Sequence, residues 1–143
     1  MRVLLDTCIV SELTRKAPNV HVVKIINELD EKNMFLSVLS VGEIIKGISL
    51  LDAGKRKEEL LSWVAGLERS YSERLLSVDV ETTRIWGETM AHLQHRGKTI
   101  PAVDGLIAAT ALRHGLHLIT RNISDFEPTN VLLINPWNSP DSR

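Results

Sequence analysis

The sequence predicts an α/β fold, a three-layer α/β/α sandwich with a mainly parallel central sheet of about five strands. Two observations carry this prediction. Short apolar runs alternate along the chain with longer segments of helical periodicity. The first run, residues 3–5, is apolar throughout instead of alternating with polar residues, which is typical of a strand buried on both faces of a parallel sheet.

The first third of the chain is predicted to contain this strand and two helices. A short helix is expected over residues 9–13 and a longer one over residues 20–31. The apolar side chains of the longer helix recur at the spacing of one buried helix face. They are Val22, Ile25, Ile26 and Leu29. Lys32 and Asn33 are expected to end this helix.

The middle third is predicted to add one strand and two helices. A strand over residues 34–38 precedes a helix over residues 41–51, whose apolar side chains fall on one face. The other face of that helix contains Glu43, Lys46 and Gly47. The next helix begins in a charged run at Lys55 and resembles a peripheral amphipathic helix.

The last third is predicted to complete the sheet. Strand 75–78 leads into a helix over residues 82–95, which is followed by a helix over residues 102–114. The middle of the latter helix is almost entirely apolar, so we expect it to be buried on nearly all sides. The final strands are expected over residues 116–120 and 131–134.

Length and composition predict one globular domain over residues 1–143. A chain of 143 residues buries about 68–70% of the surface that its unfolded form exposes, so no metal or disulfide is needed for folding alone. Hydrophobic residues make up 43% of the chain and charged residues 24%, which is ordinary for a globular protein. The net charge of −1 means that any affinity for nucleic acid must come from local patches or metal ions.

The single cysteine and the amino terminus together predict a cytoplasmic protein. Cys8 is the only cysteine, which excludes an internal disulfide and fits a reducing compartment. The chain begins a strand within two residues and has no apolar signal-peptide region. No run of eighteen apolar residues occurs, so we expect no association with a membrane.

Four acidic residues fall at strand ends or helix starts that a right-handed parallel fold places on one edge: Asp6, Glu43, Asp104 and Asp125. Each also has a local explanation. Asp6 suits a helix cap, Glu43 completes a capping box with Ser40, Asp104 complements the helix dipole, and Asp125 suits an Asx-turn. These local explanations do not explain why all four acids fall on one edge of the fold. Their shared placement predicts a cluster of carboxylates.

Such a cluster predicts a divalent metal site. Neighbouring carboxylates repel one another unless cations neutralise them. Oxygen ligands without His or Cys favour Mg²⁺, with Mn²⁺ as a substitute. The chemistry best served by this arrangement is hydrolytic phosphoryl transfer, in which metal ions activate water and stabilise the leaving oxygen.

Four segments carry a resemblance to a known family: residues 4–13, 37–43, 101–111 and 118–126. Together they resemble the motifs of PIN-domain ribonucleases, in particular the VapC-type toxins of bacterial toxin–antitoxin pairs. The resemblance spans almost the whole chain. It implies a PIN-like fold and a metal-dependent endoribonuclease that cleaves single-stranded or loop RNA. It also implies a protein antitoxin and a homodimer as partners.

The resemblance also implies which residues form the site. The metal-binding, catalytic acids would be Asp6, Glu43, Asp104 and Asp125. The polar residues that assist them would be Thr7, Thr120 and Asn122. The family often has Asn where this chain has Cys8, and we interpret Cys8 as a small packing residue.

Two other metal-dependent families with acids at strand ends fit less well. A response-regulator receiver domain has paired acids after the first strand and a late Lys, whereas Thr7 follows Asp6 here. The late strand ends instead in Thr120 and Arg121. A haloacid-dehalogenase-type phosphatase has a second Asp two residues after the first, where this chain has Cys8.

A catalytically silent PIN-like module that binds RNA or protein is the alternative from another functional class. Such a module is expected to have lost an acid, and this chain retains all four. His92 and His95 lack the sequence context of zinc ligands and are interpreted as surface or half-buried residues.

Two groups of side chains are candidates for binding partners. Those that would steer RNA are Arg15, Lys16, Arg96, Lys98 and Arg121. Those on helices that would pair with another chain, unless they belong to the core, are Val22, Ile26, Leu60 and Trp63.

Overall fold

The computed structural model of the chain describes residues 1–138. Its strands are β1 Val3–Leu5, β2 Met34–Ser37, β3 Leu75–Leu76, β4 His117–Ile119 and β5 Leu133–Ile134. Its helices are α1 Thr7–Glu12, α2 Val20–Glu28, α3 Val38–Ser49, α4 Lys55–Ser70, α5 Val80–His95, α6 Ala102–His114 and α7 Ile123–Phe126. Short 3₁₀ turns occupy Glu31–Asn33 and Glu127–Thr129. The predicted domain also includes residues 139–143, which lie outside the described residues.

The strands form one parallel sheet in the order β3-β2-β1-β4-β5. At its centre, Leu4 of β1 pairs with Phe35 of β2 on one side and with Leu118 of β4 on the other. The chain builds outward from β1 to β3 and then returns to add β4 on the opposite side of β1. The carboxyl ends of β1 and β4 therefore form the topological switch point, where open α/β sheets bind their ligands.

Both faces of the sheet are covered by helices. Val3 and Leu5 point into a core cluster that includes side chains from α1, α2, α3 and α4. Leu4 points the opposite way, into a cluster with Ile107 of α6 and Phe126 of α7. Opposite burial of neighbouring residues explains why the first strand is apolar throughout. The predicted three-layer sandwich is confirmed.

Two predicted helix boundaries in the first half are wrong. The helix predicted over residues 41–51 begins at Val38, directly after β2, because the Ser37 hydroxyl caps it by accepting a hydrogen bond from Leu39 N. The helix predicted over residues 20–31 ends at Glu28, since Leu29 is extended. Asp30 then caps the 3₁₀ turn by accepting a bond from Lys32 N.

Other boundaries shift by a few residues. Capping by Asp6 starts α1 at Thr7, and capping by Asp79 starts α5 at Val80. Strands β3, β4 and β5 are shorter than predicted. Helix α6 has the predicted bounds and ends at Gly115, whose φ of 64° gives the left-handed conformation common after a helix. In residues 1–138, no helix is both long enough and apolar enough to cross a membrane.

Gly105 lies where α6 packs tightly against α5. A Cβ atom at this position would lie 2.8 Å from Met90 Sδ and 3.0 Å from Trp86 Nε1. The Trp86 indole N–H is buried there and has no hydrogen-bond partner in the described part of the chain. The absence of a side chain at Gly105 therefore lets Trp86 and Met90 pack directly on the helix that carries Asp104.

We expect Gly105→Ala to lower the free energy of unfolding by about 1–3 kcal/mol, because the added methyl overpacks the contact with Met90 and Trp86. Gly87→Ala, on the facing helix, is the matched control, since a Cβ atom there meets nothing within 4 Å. Helix propensity should make the control neutral or more stable by about 0.5–1 kcal/mol. Urea denaturation measures both variants, and equal stability would contradict the contact.

Candidate metal centre

Asp6 lies where β1 ends and α1 begins, and its carboxylate is held on both sides. Its backbone N–H donates to Ile119 O at 2.9 Å, which continues the β1–β4 pairing. Asp6 Oδ1 accepts from Thr7 N at 2.8 Å, and Oδ2 accepts from Thr120 Oγ1 at 2.7 Å. Only 5% of the residue is exposed. Asp6 is therefore both the helix cap and a fixed acid at the switch point.

Thr120 links Asp6, at the end of β1, to the loop after β4. Its buried hydroxyl donates to Asp6 and accepts from the backbone N–H of Asn122 at 3.0 Å. Among the described residues, the Asn122 side chain makes no capping hydrogen bond at the start of α7. The structure therefore places Thr120 directly beside Asp6, and Asn122 contributes through its main chain.

Glu43 is linked to the opening motif through Thr7. The Thr7 hydroxyl donates to Glu43 Oε1 at 2.7 Å and lies 3.0 Å from Ser40 Oγ. The local alternative for Glu43, a capping box with Ser40, does not hold, because Ser37 caps α3 and Ser40 is buried within the helix. Sequence reasoning thus missed Ser40 as a neighbour of Thr7. A polar residue on the buried face of an amphipathic helix is the signal that would have found it.

Asp104 and Asp125 complete the set of predicted acids. Asp104 is half-buried in the first turn of α6, and Asp125 is exposed on α7. The local alternative for Asp125, a loop Asx-turn, does not hold, since the residue belongs to a helix. Burial raises the pKa of Asp104 to about 6, and the charges of the other three acids add to the effect. The four acids therefore share one electrostatic environment.

The carboxylates do not converge on a single point. In residues 1–138, no three Asp, Glu, His or Cys side chains are close enough to hold a metal ion as they stand. Repulsion between like charges opposes such convergence when no cation is present. The donor set nevertheless fits a hard divalent cation, because the acids supply oxygen ligands. Burial and repulsion from the other acids already raise the pKa of Asp104. Their assignment as metal ligands stays a prediction.

Cys8 contacts the same carboxylate as Thr120. Its thiol donates to Asp6 Oδ2 at 3.6 Å, and its sulfur accepts from Arg121 N at 3.5 Å. Cys8 also packs against the core cluster below, as expected of a small packing residue. Burial, with a smaller contribution from the charge of Asp6, raises the pKa of the thiol. The protonated thiol is a poor nucleophile.

A cavity of about 200 Å³ opens beside Thr7 and Glu43. Its far side is lined by Leu60 and Trp63 of α4. These two candidates for pairing thus lie next to the predicted site. Val22 is fully buried in the core, so its proposed use as a pairing surface is wrong.

The candidate cations lie in different surroundings. Arg121 follows Thr120 directly, whereas Arg15 forms an ion pair with Glu12 at 3.3 Å. The remaining three, Lys16, Arg96 and Lys98, are exposed. Arg121 therefore contacts the site through the hydrogen bond from its backbone N–H to Cys8.

Comparison with known proteins identifies the family. The sequence profile of the PIN domain matches residues 3–127. This chain belongs to the PIN domain family. The resemblance noted in the sequence is thereby confirmed. PIN-domain ribonucleases generally depend on divalent metal ions, which agrees with the oxygen donors described above.

Individual relatives cover nearly the whole chain. Toxin FitB of Neisseria gonorrhoeae is 36% identical over 140 residues, which is 95% of this chain and 99% of FitB. VapC ribonuclease Y4jK of Sinorhizobium fredii is 34% identical over 136 residues, covering 94% and 97% of the two chains. A solved structure of FitAB bound to an IR36 DNA fragment matches with a TM-score of 0.90 at 33% identity, covering 96% of each chain.

We expect Asp104→Asn to become relatively more stable than the wild type as pH rises in metal-free buffer. The pKa of Asp104 is higher in the folded protein than in the unfolded one, so ionisation of Asp104 destabilises the fold. This loss of stability begins at about pH 4, the pKa in the unfolded chain. It grows as pH rises through the folded-state pKa of about 6. Thermal melts at pH 4 and pH 7.5 measure the change. A first-turn interaction of about 0.3–1 kcal/mol is lost in the variant and partly offsets the gain.

Saturating Mn²⁺ provides the control, because it should stabilise the wild type more than Asp104→Asn. If the variant loses stability relative to the wild type as pH rises, Asp104 is mainly a structural first-turn acid.

Proposed function

We propose that this chain is a divalent-metal-dependent endoribonuclease that hydrolyses RNA phosphodiester bonds, and that it is the toxin of a toxin–antitoxin pair. The observation that carries this proposal is the electrostatic coupling of Asp104 to Asp6, Glu43 and Asp125 at the switch point of a PIN-domain sheet. Similarity to a VapC ribonuclease supports the choice of RNA as substrate.

The metal we propose is Mg²⁺, with Mn²⁺ as a substitute. Both prefer oxygen ligands, and Mg²⁺ usually combines one or two carboxylates with water and phosphate oxygens. Asp6, Glu43, Asp104 and Asp125 are the proposed ligands. When bound, the metal would lower the pKa of the attacking water and stabilise the charge on the leaving oxygen.

The surrounding residues fix the acids before RNA binds. Thr7 N and Thr120 Oγ1 occupy one lone pair on each oxygen of Asp6, which sets the plane of its carboxylate. The Thr7 hydroxyl holds Glu43 by a separate bond. Thr7 and Thr120 thus act as positioning residues. The Cys8 thiol keeps its proton and donates a hydrogen bond to Asp6, so the chain does not use this thiol as a nucleophile.

The partners we propose are a protein antitoxin and a second copy of the chain, within the cytoplasm. The solved FitAB structure, a toxin-family relative with its partner, supports the first of these. We place antitoxin contact at the cavity lined by Leu60 and Trp63. A partner seated there would also cover Thr7 and Glu43, which line the same cavity, and would thereby block access to the site.

Cleavage should depend on metal and on the acids. Asp104→Asn and Glu43→Gln should each lower RNA cleavage by more than the roughly 10–100-fold typical of residues that only orient a ligand. Thr120→Val should fall within that smaller range, because it removes the hydroxyl that orients Asp6. Gel-based cleavage of labelled RNA with Mg²⁺ or Mn²⁺ measures these losses.

Excess EDTA is the control and should abolish cleavage by the wild type. Full activity in EDTA would exclude the proposed metal chemistry. Full activity in a folded Asp104→Asn protein would exclude Asp104 as a ligand.

Trp63→Glu should weaken binding of the antitoxin, taken as the product of a small reading frame adjacent to the toxin gene, by at least about 10-fold. The charge would be buried at the apolar cavity, and buried aromatic residues often dominate interfaces. Leu61→Glu is the matched control, since Leu61 is 43% exposed on the same helix and does not line the cavity. Calorimetry compares the two variants, and equal losses would place the antitoxin elsewhere.

A further inference from the structure

Arg121 and Trp137 form a cation–aromatic pair beside the predicted site. The Arg121 guanidinium lies over the Trp137 ring, with Cζ 5.1 Å from the ring centroid. Arg121 is exposed and Trp137 is half-buried. The turn that carries Trp137 is fixed by a bond from its N–H to Asn135 Oδ1 at 3.0 Å. A flat aromatic group thus stands at the surface with a cation held against it.

The pair lies on the edge of the sheet that carries the acids. Arg121 directly follows Thr120, the residue that donates to Asp6, and its own N–H contacts Cys8. Ile119 of β4 pairs with Ile134 of β5 in a parallel register, so the segments after these two strands leave the sheet at the same edge. Trp137 therefore follows its strand on the same edge as Arg121.

No carboxylate of the described residues forms an ion pair with Arg121. Within residues 1–138, the ion pairs are formed by other cations, and Arg121 has none. Since the whole chain has a net charge of −1, affinity for a phosphate must come from local cations. Arg121 is the candidate cation whose backbone contacts the site, through Cys8. The exposed guanidinium, backed by the indole ring, also offers a planar group on which any nucleobase can stack.

A small cavity lies beside the residue that follows Trp137. Asn138, the residue after Trp137, lines a cavity of about 80 Å³ together with residues of α2. These include His21 and Lys24, as well as Glu28 and Ile25.

We propose that Arg121 and Trp137 form a subsite that stacks one unpaired nucleobase of the RNA and holds its phosphate near the acids. This inference rests on the proposed ribonuclease function. It favours single-stranded or loop RNA, because a base within a duplex has both faces covered by its neighbours. The subsite recognises an exposed base face and no particular sequence.

The opposing interpretation is a structural clamp. Trp137 also packs against the core cluster below the sheet, so the pair would then serve only to hold the segment after β5. The two interpretations differ in what they predict for binding of bases. A clamp affects stability alone, whereas a stacking subsite distinguishes a nucleic acid with bases from one without them.

The test compares two fluorescent probes of equal length, a short oligoadenylate and an abasic sugar–phosphate chain, by anisotropy with the full-length protein in EDTA. The wild type should prefer the oligoadenylate. Trp137→Leu should lower affinity for the oligoadenylate by about 10-fold or more and leave affinity for the abasic probe unchanged. Arg121→Gln should weaken binding of both probes and reduce the salt dependence.

Two further variants keep the test decisive if Trp137→Leu fails to fold. Trp137→Phe keeps a smaller ring and should show an intermediate loss for the oligoadenylate. Arg121→Lys keeps the charge without the planar group, so it should retain abasic binding and lose part of the base preference. Equal probe preference in the wild type and in folded variants would overturn the subsite, as would failure of the wild type to bind the oligoadenylate.

Cleavage assays with Mg²⁺ separate this inference from the proposed function. A subsite requires KM for RNA to rise more than kcat falls in Trp137→Phe. If the wild type cleaves RNA and KM does not change, the subsite is wrong and the ribonuclease stands. If the wild type cleaves no RNA but base preference depends on Trp137, the ribonuclease is wrong and the binding subsite stands.

Discussion

The hydrogen bonds to Asp6 are the interaction on which the rest of the site depends. One carboxylate accepts from the backbone of α1 and from the Thr120 hydroxyl at the end of β4. It thereby ties together the two strands between which the chain reverses its direction of sheet growth. Two further parts of the site are joined to Asp6 through these partners. The Thr7 hydroxyl donates to Glu43, and Thr120 begins the loop that carries Arg121.

The same site works against the stability of the fold. Apolar residues cover both faces of the sheet and have no need of a cation, whereas the acids at its edge repel one another. Burial and this repulsion keep the pKa of Asp104 near 6. Such a cost is expected where a fold retains charges for chemistry instead of packing. The cation that relieves the repulsion is also the one that the proposed hydrolysis requires.

Much of the fold followed from local sequence signals, and the misses have local physical causes. Pro101 marked the start of α6, and the nearly apolar middle of this helix offered no earlier end. The start of α3 was misplaced, because Ser37 and Ser40 are both acceptable caps and only the end of β2 decides between them. Periodicity placed Val22 on an apolar helix face but could not decide whether that face packs on the core of this chain or on another chain. The Arg121–Trp137 pair was missed because it joins two loops that only strand pairing brings together.

The central claim is that the acids at this edge of the sheet form one site for a divalent cation. Crystals soaked in Mn²⁺ test it most directly. An anomalous difference map should place a peak against the carboxylates of Asp6 and Asp104, with Glu43 or Asp125 contributing directly or through water. The account would be contradicted by a map with no peak at this edge under saturating Mn²⁺, or by a peak elsewhere with these carboxylates unliganded.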